Sequence, residues 1–179
     1  VTARVELYDR YMQHRFAANM TLYRNQYELL GSYELLRARW EFDILCYYHL
    51  WVGSYLQDRH LDRDQLVTAL RHANFVVRAL ERFGALFAAA ERELTQRGDY
   101  ERCNLGHYQE TLAAVDFLTE VGTTTPGERE DQRTLQIFGR TRQALFDLLG
   151  RRPGSQSQGL GFADYVTGRA LALTPSPTA

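Results

Sequence analysis

From the N-terminus, apolar side chains recur at Val5, Tyr8, Met12, Phe16, Met20, Tyr23, Tyr27, Leu30, Tyr33, Leu36, Trp40, Ile44, Tyr47, Trp51 and Tyr55. The mean step is about 3.6 residues, the α-helical period. The phase carries through Gly31-Ser32, so the pattern predicts one very long N-terminal helix with a bend near Gly31. Straight, that helix would reach about 75 Å at about 1.5 Å per residue, longer than a domain of this size is wide. It must therefore break near Gly31 or project toward a partner.

Asp58 to Arg63 is the first polar interruption. Asp62-Arg63-Asp64-Gln65 then reads as a helix cap with an acceptor at the cap and Gln at the third helical position. Leu66, Leu70, Ala73, Val77, Leu80, Gly84, Phe87, Glu91 and Leu94 follow in alternating steps of four and three, the spacing of a coiled-coil seam. A second row, Val76, Ala79, Phe83, Leu86 and Ala90, widens the face beyond a two-stranded seam and places this helix in a bundle. Gly98-Asp99 stops it. A third helix is expected from Leu105 through Tyr108, Leu112, Val115 and Leu118 to Gly122. Thr125-Pro126-Gly127-Glu128 combines a capping Thr, Pro at the first helical position and Glu in the box. The fourth helix follows with Leu135, Phe138, Leu145 and Leu149, closed by Gly150. Pro126 is the first proline of the chain, which strengthens the helical reading of everything before it.

Beyond Gly150 the pattern changes. Residues 151–161 read RRPGSQSQGLG, a flexible linker by composition, and 162–179 read as a docking segment with a short amphipathic helix from Phe162 and a Pro-rich end. The expected architecture is all-α: an elongated antiparallel helical bundle over 1–150, a linker, and a C-terminal segment. No period strong enough for a solenoid repeat is present.

Composition adds exclusions. The 179 residues carry 21 basic and 22 acidic side chains, for a formal net charge of -1. Every basic residue is Arg; the chain contains no Lys. Acids match Arg six to six before residue 58 and eight to eight over residues 58–104, exceed them seven to four over 105–150, and fall to one against three beyond. A backbone-tracking nucleic-acid surface needs a basic stripe, and none is legible. Lysine-free composition with scattered arginines reads as coding bias rather than as selection for bidentate pairing. The most apolar run, residues 42–56, is shorter than the roughly 20 residues of a membrane-spanning helix and contains Asp43 and His49. With no secretory signal, a soluble protein, cytoplasmic or virion-type, is expected. A first residue of Val rather than Met leaves room for a removed N-terminal piece.

Chemistry is sparse. Cys46 and Cys103 occupy no metal-ligand spacing. They should also lie too far apart for a bridge, because Cys46 falls opposite about residue 75 in an antiparallel hairpin. None of the five histidines has Glu three positions before it, and the sequence holds no H-E-x-x-H, P-loop or G-x-S-x-G. The G-L-G of 159–161 follows no expected strand and is not read as a phosphate cradle. In the same hairpin register His49 and His72 should lie at one level. They are the candidates for a metal, with Glu41 and Asp43 as the only carboxylates near and roughly two turns away. No catalytic constellation is legible, so a non-enzymatic role is expected, with no cofactor.

The notable enrichment is aromatic. Tyr8, Tyr11, Tyr23, Tyr27, Tyr33, Tyr47, Tyr48 and Tyr55 fall in the first 55 residues together with Trp40 and Trp51. Tyr and Trp concentrate where proteins meet, so Tyr23, Tyr27, Tyr33, Trp40, Tyr47, Trp51 and Tyr55 are the expected interface. The leading functional expectation is a structural or assembly protein that packs this helix against copies of itself or a larger complex, as an oligomer or complex subunit. The alternative is a bundle that binds a small ligand or a cofactor such as haem or a metal, with Trp40, His49, Trp51 and His72 lining the pocket.

Overall fold

The computed structural model describes residues 2–101, 128–151 and 159–172. The described residues form an all-α fold. Helix α1 spans Thr2–Leu22 and α2 spans Tyr33–Leu45. A π-helical stretch, Cys46–Val52, continues α2 into the short α3, Gly53–Leu56. The long α4 covers Arg63–Arg97, α5 covers Glu128–Leu148, and α6 covers Phe162–Thr167. The third helix expected over 105–122, the Thr125-Pro126 cap, Cys103 and most of the linker lie outside the described residues.

The bend expected near Gly31 is a full reversal. Between α1 and α2, Asn25 adopts the left-handed conformation (φ 58°), one that Asn tolerates better than most residues. A 3-10 turn at Tyr27–Leu29 follows, and extended Ser32 begins the next helix. The two arms then run antiparallel. Tyr11 meets Ser54, Met12 meets Tyr55 and Gln26 meets Asp43. The row with one unbroken helical phase therefore belongs to a helical hairpin.

Tyr100 locks the tip of that hairpin from beyond the end of α4. Its hydroxyl donates to the Glu28 carbonyl and accepts from the Gly31 N–H at 3.2 Å. Helix α4 begins and ends on its own local chemistry. The Asp62 carboxylate accepts from the N–H groups of Asp64 and Gln65, satisfying two donors of the first turn. Gly98, at φ 70°, supplies the left-handed C-terminal cap.

The core is aromatic at its centre. Phe42 of α2 lies 4.7 Å from Phe83 of α4, and Phe83 lies 5.1 Å from Phe138 of α5. Tyr165 of α6 completes the cluster at 5.2 Å from Phe138 and 5.8 Å from Phe83. These separations are those of favourable tilted and stacked ring pairs. Through these contacts α2 runs against α4 and α5, and α1 lies alongside α4. Residues 162–172, the described part of the segment expected to dock, pack on the chain's own core. Arg82 donates to the Val166 carbonyl and Arg142 to the Ala170 carbonyl, while Tyr165, Ala170 and Leu171 are buried. Arg151 pairs with Glu93 at 2.7 Å, fixing the exit from α5 against α4. Among the described residues no helix is long and apolar enough to cross a membrane.

Candidate functional site

Two features stand out on this scaffold: an uncovered aromatic face on the hairpin and a cavity between α1 and α4. Both arise from the way α1 uses its surface.

Helix α1 is apolar on two rows. Tyr11, Ala18 and Leu22 face the core. Val5, Tyr8, Met12, Phe16 and Met20 sit about 100° further round the helix. That second row, the one with the clean 3.6-residue period, is mostly in solvent: Phe16 is 68% exposed, and Val5, Met20 and Tyr23 are exposed as well. Of the expected interface residues, Tyr27 stands 87% exposed at the hairpin tip. Tyr23, Trp40, Tyr47 and Tyr55 are also exposed, and Tyr33 is half-buried.

The two arms share this face. The Tyr55 hydroxyl donates to the Met12 sulfur at 3.2 Å across the hairpin. Tyr47 and Tyr48 meet edge to face at 5.4 Å. The Tyr23 phenol is pushed above its ordinary pKa by partial burial, then by the neighbouring Asp43 and Tyr47.

Trp51 departs from this group. It is 6% exposed and lies in the core. The π-helical stretch Cys46–Val52 supplies the reason, because its wider turn lets successive side chains lag behind the 3.6-residue phase. The row leaves the outer face after Tyr47, Trp51 comes round inward, and Tyr55 returns outward on α3. Such wide turns recur at functional sites.

On the inner side of that stretch lies a cavity of about 280 Å³. Tyr11, His14, Arg15 and Ala18 of α1 form one wall, and His49, Leu50 and Trp51 of the π stretch a second. Leu66, Ala69, His72, Ala73 and Val76 of α4 form the third. Arg59, His60, Arg133, Thr134 and Phe162 also line it, with Ser54, Gln65, Thr68 and Phe75. His49 and His72 thus lie in one cavity, as the hairpin register requires, and Trp51 joins them, while Trp40 is on the outer surface. Four of the five histidines border this space, and the described lining residues include no Asp or Glu. Among the described residues no group of three or more His, Cys, Asp or Glu is arranged to hold a metal ion.

Besides Arg59, which is 9% exposed, Arg15 is a charged group buried here, 7% exposed. Its Nη1 donates to the Tyr11 hydroxyl at 2.6 Å and to Ser54 Oγ at 3.2 Å. The guanidinium lies 5.1 Å from the Tyr11 ring centre and 4.8 Å from that of Tyr55, within cation–π range. Its Nη2 is buried with no hydrogen-bond partner. Burial lowers its pKa, but from so high a starting value that the group stays charged.

Another buried arginine provides the contrast. Arg39, 3% exposed, donates from Nε to Asp43 at 2.9 Å, and Gln26 donates to the other carboxylate oxygen at 2.6 Å. Even so, burial pushes the Asp43 carboxyl up to about 6, with Arg39 and Gln26 pulling the other way. Asp43 is engaged there and is not among the residues lining the cavity. Cys46 is fully buried, and its thiol is held well above its usual range by that burial.

Sequence reasoning singled out neither Arg15 nor His60. A usable signal was present for the first. Tyr11, Arg15, Ala18 and Leu22 form a 4-3-4 row with one charge in an otherwise apolar line, which marks a buried cation. Leu35, Arg39 and Phe42 repeat the sign on α2. No family model, curated protein or solved structure matches this chain.

Proposed function

We propose that this chain is a non-enzymatic assembly protein whose helical hairpin packs its outer aromatic face against a second copy of itself. The observation that supports the reading is the solvent-facing row of Val5, Phe16, Met20, Tyr23 and Tyr27, continued by Trp40, Tyr47 and Tyr55 on the other arm. Exposed large apolar side chains gathered along both arms of a hairpin fit an interaction site. Its composition fits as well: Tyr, Trp, Phe and Met are enriched in interfaces. A planar phenol also loses little side-chain freedom on docking. Bundle stability gives no reason to keep this row apolar, since Tyr11, Ala18 and Leu22 already serve the core.

Native mass spectrometry and concentration-dependent light scattering test the proposal. The chain is expected to populate a dimer or higher oligomer. The double variant Phe16→Glu/Met20→Glu is expected to be monomeric with an unchanged melting temperature. A wild-type protein that stays monomeric at high micromolar concentration would refute it.

A further inference from the structure

We infer that the cavity between α1 and α4 is a binding site for a small organic carboxylate with an apolar body, its anionic end held by Arg15. The first argument is the missing counter-charge. This fold pairs one buried arginine, Arg39, with a carboxylate at 2.9 Å. It leaves Arg15, buried to a similar degree, with only neutral oxygens and ring faces around it. A buried charge with no opposite charge beside it is among the costliest arrangements a protein can hold. A bound anion would supply what the chain does not.

The second argument is position. Arg15 borders a cavity large enough for a small molecule, and the described lining includes no acid that would repel an anion. His60 adds a second unsatisfied nitrogen. Its ring lies 4.7 Å from the Tyr55 ring, the same ring that Arg15 covers, and its Nδ1 is buried with no hydrogen-bond partner. Arg15 Nη2 and His60 Nδ1 are thus two unsatisfied nitrogens grouped about one tyrosine.

The third argument is the character of the walls. Ala18, Leu66, Ala69, Trp51 and Phe162 are apolar, which suits a hydrocarbon body and not a hydrated inorganic ion. A phosphate dianion calls for several charge-assisted donors. Arg59 and Arg133 border the cavity as well as Arg15, so it is the apolar wall rather than the number of donors that favours a carboxylate with a hydrocarbon body over inorganic phosphate. This inference does not rest on self-association of the hairpin.

The test is titration of the full chain with octanoate by calorimetry, with Trp51 fluorescence as a local reporter. Octanol serves as the neutral control and inorganic phosphate as the competing anion. Octanoate is expected to saturate one site per chain at least tenfold more tightly than octanol, and phosphate is expected not to displace it. Arg15→Met should bring octanoate affinity down to that of octanol. Ala69→Leu, which narrows the cavity and leaves Arg15 in place, should weaken binding at least tenfold and covers the case in which R15M fails to fold. Equal affinity for octanol and octanoate, unchanged binding by the folded R15M variant, displacement by phosphate, or no saturation at millimolar octanoate would each overturn the assignment.

Discussion

Substituting Gly31 by Ala tests how the hairpin tip is held. A methyl group at this position would stand 2.5 Å from Cε1 of the Tyr100 ring and 3.0 Å from its hydroxyl oxygen. No carbon–carbon contact is that short, so the ring must move. The ring is not free to move without loss, because its hydroxyl bridges the Glu28 carbonyl and the Gly31 N–H. Losing both hydrogen bonds at a partly exposed site costs about 1–3 kcal/mol. Gly31 has no positive φ, so Ala meets no backbone strain there and recovers about 0.4–1 kcal/mol by restricting the unfolded chain. The balance is a net destabilisation of about 1–2 kcal/mol. For a chain of this length that lowers the melting temperature by roughly 2–8 °C. Urea denaturation of G31A, Y100A and the double variant completes a cycle. With the Tyr100 ring gone, G31A should become neutral or slightly stabilising, giving a coupling of about 1–2 kcal/mol. If G31A alone matches or exceeds the wild type, the ring does not lock the tip and the argument fails.

Other predictions follow from the same geometry. Between about pH 4 and pH 6 the folded chain retains the Asp43 proton that the unfolded chain has released. The associated stability is therefore complete below the ordinary Asp pKa and is lost as pH rises through about 6, by roughly 3 kcal/mol. Denaturation of wild type and D43N at pH 4 and pH 7 should show that extra loss in the wild type alone; parallel curves would contradict it. Arg39→Met strands Asp43 as a buried acid and should cost about 3–5 kcal/mol, whereas Arg15→Met removes a charge with no acidic partner and should leave the ligand-free melting temperature unchanged or higher. A large fall for R15M would count against the reading of Arg15 as uncompensated. Tyr165→Ala opens the junction of α4, α5 and α6 and should cost about 3–5 kcal/mol, with thermal melting as the measurement. A loss below about 1 kcal/mol would mean that α6 is only loosely applied.

Local signals were the easiest to read from the sequence. Asp62 and Gly98 announced both ends of α4, because a capping side chain and a left-handed glycine act within one turn. That His49 and His72 border one space was also within reach, since an antiparallel register needs only the position of the turn. The orientation of α1 was harder. Periodicity defines a face without saying whether the face meets the core, and α1 has two apolar rows from which tertiary packing selects one. The more regular row is the one turned outward. The reversal at residues 23–32 was hidden for a related reason: the apolar phase resumes in α2 close to where α1 left it. Trp51 was misplaced because a wide turn in Cys46–Val52 alters the phase without any marker residue such as Pro. The cavity needed three separated segments to converge, and only His49, Trp51 and His72 of its lining had been linked beforehand.

The seating of α6 bears on how the molecule is made. Its aromatic wedge, Tyr165, sits in the middle of the core, and Phe162 closes part of the cavity wall. The contact from Arg82 to Val166 joins positions 84 residues apart. During synthesis the hairpin and α4 emerge with their aromatic faces still unmatched, and the interior can close only after residue 171 is free to fold back. A ribosome that stalls before that point would release a chain with Phe83 and Phe138 uncapped, a form that proteases and chaperones can tell from the finished protein.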